Sequence, residues 1–197
     1  MKNYGYFRVA AAVPRVRVAD TKYNTEEICR LTSEAFDRNV SLVTFPELSL
    51  TGYTCGDLFH QEFLVSKAEE GIRQIADQSR GKATTIVAGA PVRYNGRLYN
   101  CAIVIRNGSI MGIVPKTYVP ASEARWFASG ADFLSMDTFT GGIMLDNGKD
   151  FVREGFQSEI RYAGQRCSIS PDQIFEIDRH SVAVEIGHDL WSPVPAS

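Results

Sequence analysis

The sequence predicts an α/β fold built on a mixed sheet, and three observations carry that prediction. A strand–helix–strand run opens the chain, the apolar period changes from helical to strand-like after Thr84, and two Asn-Gly dipeptides punctuate the strands that follow. With 197 residues, 44% of them apolar, the chain is sized for one domain that buries roughly 70% of its unfolded surface. Its 21 Lys+Arg against 23 Asp+Glu give a net charge of −2, which excludes a charge-driven disordered chain. The same balance offers no electrostatic reason for nucleic acid or an anionic membrane as partner.

In chain order, Phe7–Val13 is short, apolar and followed by Pro14, which reads as a buried strand. Asn24, with Glu27 three residues on, has the pattern of a helix N-cap. Ile28, Leu31, Ala35 and Phe36 then keep helical spacing to about Asn39. Ser41–Phe45 is a second strand, stopped by Pro46, and a second helix runs from Gln61 to about Gln78 with Phe63, Leu64, Ala68, Ile72 and Ile75 as its core face. Thr85–Ala88, Leu98–Ile105 and Ile110–Val114 follow as strands. They are separated by Tyr94-Asn95-Gly96 and Asn107-Gly108, the strongest short hairpin signal available. A loop-rich stretch from Lys116 to about Gln173 precedes two last strands, Gln173–Ile177 and Val182–Ile186.

The four cysteines, Cys29, Cys55, Cys101 and Cys167, lie far apart and form no C-x-x-C pair, so zinc and dithiol chemistry are poorly supported. Met1–Arg8 has no apolar leader core, and no apolar run approaches the roughly 18 residues a membrane span needs. A cytoplasmic protein with reduced thiols is the expectation.

Three places combine a strand end with reactive side chains. Glu47 stands just past the second strand, where α/β sheets place their working groups, and a partly desolvated carboxylate there suits a general base. Lys116 follows an apolar strand and Pro115, and a lysine held there can stabilise an oxyanion. Val182–Trp191 runs from a strand into Gly187, His188 and Asp189, in the manner of a turn that exposes a nucleophile. Taken singly, each has an ordinary alternative: a solvated loop Glu, a surface Lys, a Gly-containing turn.

In this order the three segments resemble the nitrilase superfamily of carbon–nitrogen hydrolases, which uses a Glu–Lys–Cys triad. Finer wording resembles the glutaminase domain of bacterial glutamine-dependent NAD⁺ synthetases. It lies in Phe45-Pro-Glu-Leu-Ser-Leu-Thr-Gly-Tyr-Thr-Cys-Gly-Asp-Leu-Phe59, Lys116-Thr-Tyr118, Glu123-Ala-Arg-Trp-Phe-Ala-Ser-Gly130, Ser170-Pro-Asp-Gln-Ile-Phe175 and Asp189-Leu-Trp191. The resemblance implies an αββα sandwich with mixed sheets and a thiol that attacks the side-chain amide of glutamine. It further implies Glu47 as base, Lys116 at the oxyanion, and Glu123 and His188 on the substrate side. Ammonia would pass to a synthetase domain or subunit, where ATP and magnesium are expected; no cofactor is expected in this chain, and a homo-oligomer is.

The chain departs from that family in three ways. Where the family's elbow reads Glu-Ile-Cys-Glu-Asp-Leu-Trp, this one reads Glu185-Ile186-Gly187-His188-Asp189-Leu190-Trp191, so the nucleophile position holds a residue without a side chain. Between Lys116 and Arg125 a few residues of the family pattern are missing, including a glutamine-contacting tyrosine and one of two active-site glutamates; Glu123 can stand in only for the second. Finally, residues 1–197 read as a partial, truncated nitrilase-like domain without a Ser-Gly-Gly-rich ATP loop, so the synthetase domain is expected to be absent. The implied function is glutamine hydrolysis for NAD⁺ synthesis, silenced at Gly187. The alternative is a nitrilase-like pseudoenzyme that binds or scaffolds.

Overall fold

The computed structural model describes residues 6–134 and 158–192. Nine strands and two long helices organise them: β1 Val9–Ala11, α1 Thr21–Asp37, β2 Leu42–Thr44, α2 Glu62–Gln78, β3 Thr85–Tyr94, β4 Arg97–Arg106, β5 Ser109–Pro115, β6 Ser158–Tyr162, β7 Gln165–Ile169, β8 Ile174–Ile177 and β9 His180–Ala183. The first seven strands form one sheet in the order β1-β2-β3-β4-β5-β7-β6. Pairs β1/β2, β2/β3 and β5/β7 are parallel and the rest antiparallel, so the sheet is mixed, as expected. The first two parallel pairs are joined through α1 and α2, the helical crossovers that parallel strands require.

Alternation along the central strands assigns the two faces. On β3, Ile86, Ala88, Ala90 and Val92 join the cluster under α1 and α2, as do Tyr99, Cys101, Ile103 and Ile105 of β4. The intervening Val87, Ala102 and Val104 point the other way, onto Phe175 and Ile177 of the β8–β9 ribbon and onto Ile186. Side chains two apart share a face in a strand, so buried β3 and β4 must be apolar at nearly every position, and they are. The described residues thus form three layers: helices, the seven-stranded sheet, and a two-stranded second sheet. They correspond to the α, β and second β layers of the expected sandwich.

Several local expectations are corrected. The β1 strand is not buried: it is an edge strand of three residues, and Val9 is 59% exposed, because only β2 flanks it. Asp20, not Asn24, caps α1, accepting the Tyr23 N–H at 3.1 Å. Asn24 is instead fully buried and donates to the carbonyls of Arg17 (2.8 Å) and Leu50 (3.0 Å), tying together the loops that follow β1 and β2. Phe36 and Phe63 are exposed rather than in the core, since the sheet admits a narrower stripe of each helix than spacing alone suggests. Part of the stretch read as loop, 135–157, lies outside the described residues, but beyond it the hairpin β6–β7 was not expected. Its turn is Ala163-Gly164, with φ +50° and +81°, a geometry usually advertised by Asn-Gly. The final strand begins at His180 rather than Val182, and Val184–Ile186 leaves the ribbon to run over the main sheet.

The loop after β2 rests directly on β3. Leu50 N–H donates to the Gly89 carbonyl at 3.1 Å, and Gly89 N–H to Ser49 Oγ at 3.2 Å. A Cβ on Gly89 would lie 2.4 Å from Leu48 N and 2.7 Å from Pro46 O, both backbone atoms that cannot step aside. Gly89→Ala is therefore expected to lower stability by about 1–3 kcal/mol through overpacking. Urea denaturation measures it, and an unchanged midpoint would show that the loop does not depend on this close approach.

Candidate active site

The strand ends bring Glu47, Lys116 and Glu123 together. Lys116 follows β5 directly, its N–H held at 2.8 Å by the carbonyl of Asn100 on β4. Its ammonium donates to Glu47 Oε1 at 2.7 Å and to Glu123 Oε1 and Oε2 at 2.8 and 3.0 Å. Lys116 is 1% exposed and Glu123 3%, whereas Glu47 is partly open. Burial alone would push the Lys116 ammonium down. The hydrogen bonds and charges of Glu123 and Glu47 outweigh it and hold the group above its ordinary value, so it stays a cation.

Three further residues complete the cluster, and the sequence reading assigned none of them a role. Tyr53 Oη donates to Glu123 Oε1 at 2.7 Å. Asn100 Nδ2 donates to Glu47 Oε1 at 2.5 Å. The signal for Asn100 was present: it is the one polar residue inside the apolar run Leu98–Ile105. Asp189, 1% exposed, accepts from the N–H groups of Tyr118 (2.7 Å), Thr117 (3.1 Å) and Ile186 (3.2 Å), and so ties the elbow to the segment after Lys116.

Gly187 closes the arrangement. Its φ is +54°, in the left-handed region, at the start of a 3₁₀ turn Gly187–Trp191. A Cβ placed on it would lie 3.0 Å from Glu47 Oε2 and 3.5 Å from Lys116 Nζ. Position 187 thus aims at the carboxylate and the ammonium together, and the backbone offers no side chain there. His188 is exposed and makes no hydrogen bond or ion pair with this cluster. Both Glu123 oxygens are already engaged by Lys116 and Tyr53. A cleft of about 100 Å³ opens beside Gly187, between Glu47, Gly89, Ala102 and Val184–Ile186. The larger hollow, about 350 Å³, lies elsewhere, around Phe59 and Trp126; its Arg93, Arg97 and Arg125 are each paired with a carboxylate.

All four cysteines are free and buried. Burial pushes Cys29 up to about 11 and Cys167 to about 12, raises Cys55, and holds Cys101 well above the ordinary thiol value. At neutral pH none is a thiolate, the form that attacks. Among the described residues no helix is long and apolar enough to cross a membrane.

Comparison with known proteins places this geometry. The profile of the carbon–nitrogen hydrolase family matches residues 8–138, well over half of the chain. The glutamine-dependent NAD(+) synthetase of Mycobacterium leprae is 35% identical over 99% of this chain, and that of Mycobacterium tuberculosis 28%. In each case the chain spans only 26% of the relative's length. Among solved structures, the glutamine-dependent NAD(+) synthetase of Cytophaga hutchinsonii superposes with a TM-score of 0.71 at 23% identity, over 90% of this chain and 27% of that one. An amidase from Nesterenkonia sp. superposes at 0.54 with 19% identity, over 83% of this chain and 54% of that one. These two likenesses show the fold.

The cluster ties stability to alkaline pH. The hydrogen bond to Glu123, partial burial and the charges of Glu123 and Glu47 push Tyr53 up to about 12 from 10.0. The native state therefore keeps a proton that the unfolded chain has released, and stability falls as pH rises between those values. Lys116 acts in the same sense, its contribution being lost as pH rises through its elevated native value. Thermal melts from pH 9 to 12 are expected to decline less steeply in Tyr53→Phe than in the parent. Equal slopes would remove the Tyr53–Glu123 bond as a cause.

Proposed function

The chain belongs to the carbon–nitrogen hydrolase family, and within it we propose that it is a glutaminase-type module whose Glu47–Lys116 pair is in place but whose nucleophile is missing. The observation that carries this reading is the direction of position 187, with a Cβ 3.0 Å from Glu47 Oε2 and 3.5 Å from Lys116 Nζ. A thiol there would attack the carbonyl carbon of a side-chain amide while its proton passed to Glu47. Lys116, fixed as a cation, would stabilise the tetrahedral oxyanion together with backbone N–H groups of the elbow. Collapse would break the C–N bond, Glu47 returning its proton to the departing ammonia, and water would then cleave the thioester. With Gly187 the first bond cannot form.

The choice of glutamine as the amide, and of a synthetase domain or subunit consuming ammonia with ATP and magnesium, rests on the names of the relatives and on the shared Phe45–Phe59 wording. A second reading has its own support. The Lys116 ammonium finds all its partners in Glu47 and Glu123 without a thiol, so the cluster is closed as it stands. Such a module would bind or scaffold without hydrolysing.

Ammonia release from glutamine tests both. The chain as it stands is expected to match the uncatalysed background, and Gly187→Cys to exceed it by on the order of 10²-fold or more. Glu47→Gln or Lys116→Met should abolish that gain in the Gly187→Cys background and change nothing in the parent. Equal release by parent and Gly187→Cys would overturn the missing-nucleophile reading; if both are silent while glutamine still binds by calorimetry, the binding-module reading stands instead.

A further inference from the structure

Asn100 has a place in this site that its residue type alone does not announce. It is 1% exposed and lies on the β4 face that looks away from the helices, between Tyr99 and Cys101. Its carbonyl accepts the Lys116 N–H at 2.8 Å, and its Nδ2 donates to Glu47 Oε1 at 2.5 Å. A carboxylate only accepts, so the amide must turn its NH₂ toward Glu47. That orientation leaves Asn100 Oδ1 buried without a hydrogen-bond partner. An orphaned buried carbonyl is costly, and a charge-assisted bond on the other end of the same amide is what offsets it.

The consequence lies in which oxygen is left free. Lys116 Nζ and Asn100 Nδ2 converge on the same atom, Oε1. Oε2 is the oxygen that faces position 187, 3.0 Å from a Cβ built there. We propose that Asn100 is a positioning residue: it shares Oε1 with Lys116, fixes the plane of the carboxylate, and leaves Oε2 as the one oxygen that can take a proton from a group at position 187. Lys116 alone supplies one donor on a flexible stem, about which a carboxylate can still pivot. The second donor, from a short side chain on a buried strand, removes that freedom. This rests on the reading of Glu47 as the base of an amide-hydrolysing site.

The test uses the introduced thiol of Gly187→Cys as reporter, because the four native thiols are buried and protonated at neutral pH. Iodoacetamide alkylates it by forming S–C as C–I breaks; iodide leaves and the thiol proton passes to Glu47 Oε2. Adding Asn100→Leu is expected to slow alkylation about tenfold at pH 7. Adding Asn100→Asp, isosteric but unable to donate while ionised, should slow it as much at pH 7. Its deficit against Gly187→Cys alone should shrink toward pH 5, where an acid whose pKa is raised by the adjacent Glu47 carboxylate is protonated and regains an O–H donor. The leucine variant's deficit should stay constant. A purely structural role gives the two variants the same deficit at every pH, and that result, or unchanged alkylation, overturns the proposal. If Asn100→Leu fails to fold in thermal melts, the pH dependence of Asn100→Asp decides alone. Glutamine hydrolysis by Gly187→Cys is scored separately: the expected alkylation pattern without hydrolysis removes the glutaminase reading and leaves Asn100 as the positioner of Glu47.

Discussion

A lysine ammonium shut away from water between two carboxylates sets the terms for this structure. Removing two or three charges from solvent costs several kcal/mol per ion, and only close, well-oriented partners return it. Lys116 meets that condition because the sheet delivers its partners from different directions. β5 presents the lysine, the loop on β3 presents Glu47, and the turn before Trp126 presents Glu123. Each approach has its own anchor. Gly89 lets the Glu47 loop touch β3, Asn24 ties that loop to α1, and the Glu123 N–H is held by the Pro120 carbonyl at 2.8 Å. Had any one been loose, a carboxylate would have swung into solvent and left the buried cation unpaired.

The elbow follows from the same logic with the opposite sign. A left-handed backbone costs a residue with a Cβ roughly 1–2 kcal/mol, and glycine almost nothing. At position 187 a Cβ would also press to 3.0 Å on Glu47 Oε2. Stability therefore favours Gly187, while the chemistry proposed for the site favours a side chain at this strained position; sites of this kind hold strained residues because the reaction requires them. Asp189 holds the turn in this shape. Its buried carboxylate binds three backbone N–H groups and keeps residue 187 over Glu47 and Lys116.

How much of this was legible in the sequence depended on how locally each feature is encoded. The parallel strand–helix–strand start, both Asn-Gly hairpins and the sites of Glu47, Lys116 and Gly187 rest on residues adjacent in the chain. The β6–β7 hairpin was missed because Ala163-Gly164 carries none of the chemistry that usually marks its turn. Asn24 was misread because its pattern with Glu27 fits a cap, while its real partners, Arg17 and Leu50, are brought to it only by the fold. Tyr53 was silent for the same reason, its partner lying 70 residues away; Asn100 stood out as a polar residue in an apolar run, but its partner, 53 residues away, did not.

The period of a β-strand explains why Cys101 does not face Glu47 although its neighbour Asn100 does. On β4, Tyr99, Cys101, Ile103 and Ile105 face the helices, whereas Asn100, Ala102 and Val104 alternate with them. Asn100 reaches Glu47, and Cys101, a single residue further along, is turned into the helix-side core with no exposed surface. Cys29 and Cys167 join that same core, and Cys55 sits under Phe59 in a separate cluster. The thiols of Cys29, Cys101 and Cys167 thus lie on the helix side of the sheet, opposite the face from which Asn100 reaches Glu47, and that of Cys55 lies in its own cluster. No rotamer change carries the Cys101 thiol through the sheet, and shifting β4 by one residue would exchange every side chain on both faces at once. A Cβ at position 187, by contrast, would stand 3.0 Å from Glu47 Oε2, so a thiol at the elbow would meet the carboxylate directly.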